Sequence, residues 1–304
     1  MGHDHDHGAA TANRRKLAWA FAITAIILVA EIIGAILTNS LALLVDAAHM
    51  LTDTTGLLLA LTAATLVMRR PTPKRTWGFR RAEVLSATLQ SALLLGVGVY
   101  AFIDGTRRLF SPAEVSSGGL LVFGVIGLVG NLASMLILAS GRNENLNMRA
   151  AFLEVLNDAL GSVAVIISAI VISLTGWMQA DSIAAMLIAA LIIPRALKLL
   201  GETGHILLES TPRGLDLDDV RTHLLAHPMV LSVHDLHASQ IASNLPVLSA
   251  HVVVDDSAFH DGRAARMLDE LQACVAGHFE VSIEHSTFQI EGQSHSNHEH
   301  QLHD

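Results

Sequence analysis

Apolar residues in this chain run on where a soluble domain would alternate them. Stretches long enough to cross about 30 Å of hydrocarbon, which takes roughly 20 helical residues, recur six times, near residues 17–37, 41–67, 83–105, 116–140, 150–174 and 178–200. At about residue 205 the pattern changes to short segments of both periodicities. DLDDVRTHLLAHP reads as helix, VLSVHDLHASQIA and LPVLSAHVVVDD as strands, GRAARMLDELQACVAGHF as an amphipathic helix and VSIEHSTFQIE as a last strand. That order, α-β-β-α-β, suits a small open-faced sandwich. The expected organisation is an α-helical membrane protein of six transmembrane helices over residues 16–204, followed by an α+β soluble domain over 205–291. A histidine-rich tail lies at each end, residues 1–15 and 292–304. Their low complexity predicts disorder.

Composition sharpens this picture. Of 304 residues, 51% are hydrophobic and only 15% charged, with a mean hydropathy of +0.48, outside the usual range for soluble domains. The opening MGHDHDHGAATANRRK is too polar for a cleavable signal peptide, so the first span is expected to be retained. Basic residues set the orientation. Arg14, Arg15 and Lys16 precede the first span, Arg69, Arg70, Lys74, Arg75, Arg80 and Arg81 fill the second connection, and Arg142 and Arg149 flank the fourth span. The opposite side has little beyond Arg107 and Arg108. Both termini are therefore expected in the cytoplasm, and a multi-pass protein of the plasma (inner) membrane is the expected setting. A net charge of −9 argues against nucleic acid as a partner. The single cysteine, Cys274, excludes an intramolecular disulfide and a multi-cysteine zinc cage. Seventeen histidines, many of them in the tails, point towards metal.

Charged residues inside the spans carry the candidate chemistry. An ionisable side chain there costs roughly 2.5–3.5 kcal/mol on insertion scales, so it needs a partner or an internal cavity. In LVDAAHMLTD of the second span, Asp46, His49 and Asp53 project from one helix face. In AFLEVLNDALG of the fifth, Glu154 and Asp158 repeat the four-residue spacing. Two helices that each offer an i,i+4 pair supply four nitrogen and oxygen donors, the number a tetrahedral zinc-like site requires. The plainer reading makes them polar contacts between helices, and two such pairs in separate spans weigh against it. Asp46 is either a ligand or a supporting or pathway residue. Glu31 and Asp181 either line an access route or pair with a neighbouring helix. Three carboxylates in a low-dielectric site cannot all ionise together, so protons should occupy it when metal leaves. A divalent ion then competes with protons for the same ligands, which is a physical basis for exchange across a membrane.

These residues resemble the cation diffusion facilitator family of divalent-metal efflux transporters. The matching segments are SLALLVDAAHMLTD, WGFRRAEVLSA, NLNMRAAFLEVLNDALGSV and LLESTPRGLD, spread over nearly the whole chain. The resemblance implies a homodimer of six-helix subunits with a cytoplasmic ferredoxin-like domain. It also implies export of Zn2+, with Co2+, Cd2+ or Mn2+ as further candidates, against protons by alternating access. His49, Asp53 and Asp158 fall on its transport-site positions. The transported metal is the only ligand expected, with no cofactor. Glu154 departs from the pattern, since many zinc-selective members carry histidine there. A carboxylate in place of an imidazole hardens the site and adds negative charge. RRPTPKRTWGFRR lacks the Asp and His that make an extra site in some relatives, so none is expected there. The histidine-rich loop of others is reduced to GRNENLN, and the tails stand as the alternative metal collectors. By the same resemblance His234, His251 and His285, with His237 as a further candidate, belong to a cytoplasmic metal site that draws two soluble domains together.

Two rival functions remain at this level. A membrane metalloprotease would show an HExxH helix, and the chain has none, so no enzymatic activity is expected. A membrane-anchored metal-sensing module is the second, and it predicts that the intramembrane carboxylates are dispensable.

Overall fold

The computed structural model describes residues 6–139, 146–260 and 262–296. Six long helices come first: α1 (Asp6–Thr38), α2 (Leu41–Val67), α3 (Ala82–Phe110), α4 (Ser117–Ala139), α5 (Leu146–Thr175) and α6 (Gln179–Leu207). All six are long and apolar enough to cross a membrane. Helices outrun their apolar stretches, because backbone hydrogen bonding continues whatever the side chains face. The boundary expected at residues 204/205 accordingly falls inside α6. By compactness the chain divides into two units, residues 1–58 with 89–199 and residues 59–88 with 200–304.

In the first unit α4 packs along both α1 and α5. Close approach is possible because Gly124, Gly127, Asn131 and Ser134 line the buried face of α4. A Cβ at Gly127 would come within 2.9 Å of Glu31 Oε1 and 3.0 Å of Ser162 Oγ. Glycine here lets a buried carboxyl lie against the helix backbone. The interior is built from residues such as Leu41, Leu43, Val45, Leu120 and Val165. Ile26, Ile36, Leu136 and Leu174 stay 69–80% exposed on the outside, an apolar surface that suits lipid.

The second unit carries α7 (Leu217–Leu225), β1 (Val230–Ala242), β2 (Leu245–Val254), α8 (Arg263–Gly277), β3 (His285–Gly292) and the single turn α9 (Gln293–Ser296). The α-β-β-α-β order is the expected one. The sheet runs β1-β2-β3, antiparallel between the first pair and parallel between the second. Met267, Leu271 and Val275 repeat every four residues on α8 and join Val220, Leu224, Val252 and Ile283 in the core of this domain. β1 is bulged: His234 pairs with His251 but His237 pairs with Ser249, so Asp235 and Leu236 oppose Ala250 alone, and Asp235 takes φ +46°. Residues 293–296, expected as part of a disordered tail, form a helical turn. Most of HDHDH, of GRNENLN and of HSNHEHQLHD lies outside the described residues.

Candidate metal sites

α2 and α5 bring the intramembrane residues of the first unit together. His49 Nε2 lies 3.4 Å from Asp53 Oδ2, one turn along its own helix, and 3.9 Å from Asp158 Oδ1 on α5. His49 and Asp158 are 6% and 4% exposed, and neither His49 Nδ1 nor Asp158 Oδ1 has a hydrogen-bond partner. Glu154 and Gln90 of α3 are the side chains next to Asp53. Glu154 Oε1 also lies 3.2 Å from Arg195 Nη2 of α6. Glu154 therefore joins the group through Asp53 and Arg195, whereas His49 itself reaches both Asp53 and Asp158.

The other intramembrane acids are placed differently. Asp46 is 2% exposed and lies beside Glu31, itself 1% exposed. A Cβ on Gly161 of α5 would sit 2.8 Å from Asp46 Oδ1, so this pair is seated against glycines on α4 and α5. Asn131 Nδ2 donates to Ser162 Oγ at 3.3 Å beside it. Asp181 caps α2 from α6: it accepts from the Leu41 N–H at 2.6 Å, the Ala42 N–H at 3.4 Å and the Ser40 hydroxyl. Of the two roles open to Glu31 and Asp181, both residues take pairing with a neighbouring helix.

Among the described residues, one group of three or more His, Cys, Asp or Glu brings all its ligand atoms within 4.8 Å of one another: His234, His251 and Glu291. Glu291 Oε1 is 2.7 Å from His234 Nε2 and 3.7 Å from His251 Nδ1, and Asp235 Oδ2 lies 3.4 Å from His234 Nδ1. A carboxylate at the second ring nitrogen is the usual partner of a metal-binding histidine, a place that Asp235 fills at Nδ1 while Nε2 faces Glu291. The sheet brings Glu291 to this place instead of the expected His285. β3 pairs with β2 so that His251 faces Gln289 and Val253 faces Glu291, while His285 faces Val247. At about 3.3 Å per residue that leaves His285 roughly 13 Å away along the strand. There its ring stands edge-on to Trp77, with centroids 4.9 Å apart. His237 is exposed, one pair beyond His234 on β1. Burial pushes the Cys274 thiol up from its ordinary range, so at neutral pH it is protonated and a poor metal ligand.

Three residues here escape a reading by residue type: Arg195, Gln90 and Glu291. Arg195 carried a usable signal, since IIPRAL puts a cation inside an apolar run. Glu291 carried a weaker one, an acid on the same strand face as His285.

Residues 17–208 match the cation efflux transmembrane domain and residues 212–293 match the cation efflux protein cytoplasmic domain. The chain is 42% identical to the metal cation efflux system protein CzcD of Cupriavidus metallidurans, over 95% of this chain and 90% of that protein. It is 37% identical to the zinc transporter ZitB of Escherichia coli, over 96% and 93% respectively. With a cadmium, cobalt and zinc/H(+)-K(+) antiporter of Bacillus subtilis it shares 36% identity over 97% of this chain and 94% of the other.

Proposed function

The chain belongs to the cation efflux family, and from that premise we propose that it exports Zn2+ and related divalent cations from the cytoplasm in exchange for protons. The observation that carries this reading is His49 of α2 standing 3.4 Å from Asp53 and 3.9 Å from Asp158 of α5. In this role His49, Asp53 and Asp158 bind the cation, and Glu154 is the fourth ligand. The nearness of Asp53 and Glu154 supports proton exchange, because without metal one proton can serve both carboxyls, and it must leave before both bind the ion. Protons arriving from the far side then return the carboxyls to their shared state and release the cation. Asp46, paired with Glu31, supports the site without binding the ion.

His234, His251 and Glu291 form a cytoplasmic metal site in this reading, and the working unit is a homodimer. Metal bound there raises the population of the closed pair of soluble domains by its differential affinity for that state. The setting is the plasma membrane, with both termini in the cytoplasm.

Accumulation of 65Zn in proteoliposomes under an imposed pH gradient tests the transport reading. Uptake is expected in the parent and to collapse at least about a hundredfold in Asp53→Ala and Asp158→Ala, as loss of a buried ligand implies. Zinc affinity is expected to weaken as pH falls, since protons and metal claim the same oxygens. Full uptake in both variants would leave these carboxylates dispensable and turn the reading towards a membrane-anchored sensor.

A further inference from the structure

Arg195 stands in the apolar run ALIIPRAL of α6, directly after Pro194. A guanidinium inside a membrane span is expensive unless paired, and it cannot shed its proton to become neutral. Its partner is Glu154, at 3.2 Å. The same guanidinium is close enough to act electrostatically on His49, Asp53 and Asp158 as well. With His49 neutral, three carboxylates would give the site three negative charges, and Arg195 brings the set back to two.

We propose that Arg195 is a tethered cation that competes with the transported metal for Glu154: it holds this carboxylate until a divalent ion enters, is displaced by it, and returns as the ion leaves. The inference deepens the transport reading and rests on it. Its physical content is that a fixed charge replaces part of the proton load the carboxylates would otherwise need. A side chain on a flexible stem can swing away and return without any proton transfer. Metal affinity is thereby held down, which favours release. Without the competitor the ion should bind more tightly and leave more slowly, so KM and kcat should fall together in proteoliposomes.

Equilibrium zinc binding to the purified full-length protein is the direct test, measured calorimetrically in a His234→Ala/His251→Ala background, with the same background carrying Asp53→Ala as the blank for zinc held by the histidine-rich tails. Arg195→Gln is expected to tighten zinc binding about tenfold, equivalent to about 1.4 kcal/mol. Arg195→Lys keeps the charge on a compact ammonium without the planar guanidinium fork and is expected to fall between the two. In a Glu154→Gln background the Arg195→Gln change should be nearly silent, less than about twofold, because the disputed carboxylate is gone. Unchanged or weaker binding in Arg195→Gln overturns the inference. So does an equal tightening in the Glu154→Gln background, which would reduce Arg195 to a diffuse field. If Arg195→Gln does not fold, Arg195→Lys decides, and binding equal to or weaker than the parent's counts against displacement. Asp53→Ala separates the levels: undiminished zinc binding there sinks the transport site itself. Its loss there, without tightening in Arg195→Gln, sinks only the competition.

Discussion

At the residue scale, the question is what Glu154 does to metal choice. Glu154 gives the donor set one nitrogen and three oxygens, a harder set than a second imidazole would make. The added negative charge is another matter, since Arg195 lies 3.2 Å from that carboxylate and offsets it. Replacing Glu154 with histidine alone leaves the Arg195 guanidinium beside the site without its carboxylate, so we expect transport of every ion to fall by about tenfold, because an unneutralised positive charge repels the arriving cation. Glu154→His with Arg195→Gln should restore zinc transport and narrow selection against manganese and cobalt. Rates for zinc, cobalt, cadmium and manganese in the same proteoliposomes check both statements. A profile unchanged in the double variant would mean that Glu154 does not set selectivity. The acids and His49 were legible in the sequence because charge in a membrane span is rare and needs a reason. Arg195 obeys the same rule, but a search confined to metal-ligating residue types passes over it. Glu291 was hidden for a different reason: which strand residues meet depends on register, and no residue of β3 reveals where it pairs.

At the scale of elements, existence and order were written in the apolar runs and periodicities, while ends, caps and pairing were not. The start of α2 shows why. Nothing near Ser40 in the sequence identifies Asp181, which lies 141 residues on and closes the α2 N-terminus through Ser40, Leu41 and Ala42. Orphan N–H groups at a buried helix start need an acceptor, and a carboxylate also complements the helix dipole. Asp181→Ala removes three accepted bonds from a residue only 1% exposed. It should lower unfolding stability in detergent by about 2–3 kcal/mol, read as a drop in the thermal transition. Asp181→Asn keeps an oxygen for one donor and should lose about half as much. An alanine variant as stable as the parent would show that water replaces the cap. The bulge at Asp235 is a second feature set by pairing. Without the extra residue, His234 and His237 would project to opposite faces of β1, whereas the bulge puts both on the face of His251 and Ser249.

At the scale of the whole molecule, the direction of transport depends on which side of the membrane the soluble domain occupies. The basic connection between α2 and α3 belongs to the same compact unit as that domain. Arg81 lies 2.6 Å from Glu209, Ser243 donates to Glu83 at 3.0 Å, and the Trp77 ring meets His285. Surface pairs of this kind add little stability, yet they require the connection and the domain to share a side. On the opposite side, the Arg108 guanidinium already donates to Asp104 at 2.8 Å and to the Asn39 carbonyl at 3.0 Å, which weakens what little basic charge stands there. The positive-inside bias therefore favours a cytoplasmic soluble domain more strongly than a plain count of basic residues does. A thiol probe reads this directly, because Cys274 is the chain's only cysteine. Cys274→Ser with Ser294→Cys moves the thiol from a half-buried helix position to an exposed one. A membrane-impermeant maleimide should label that variant in inside-out vesicles and leave it unmodified in intact cells until they are permeabilised. Labelling in intact cells would invert the topology. The same exchange chemistry would then carry divalent metal into the cell.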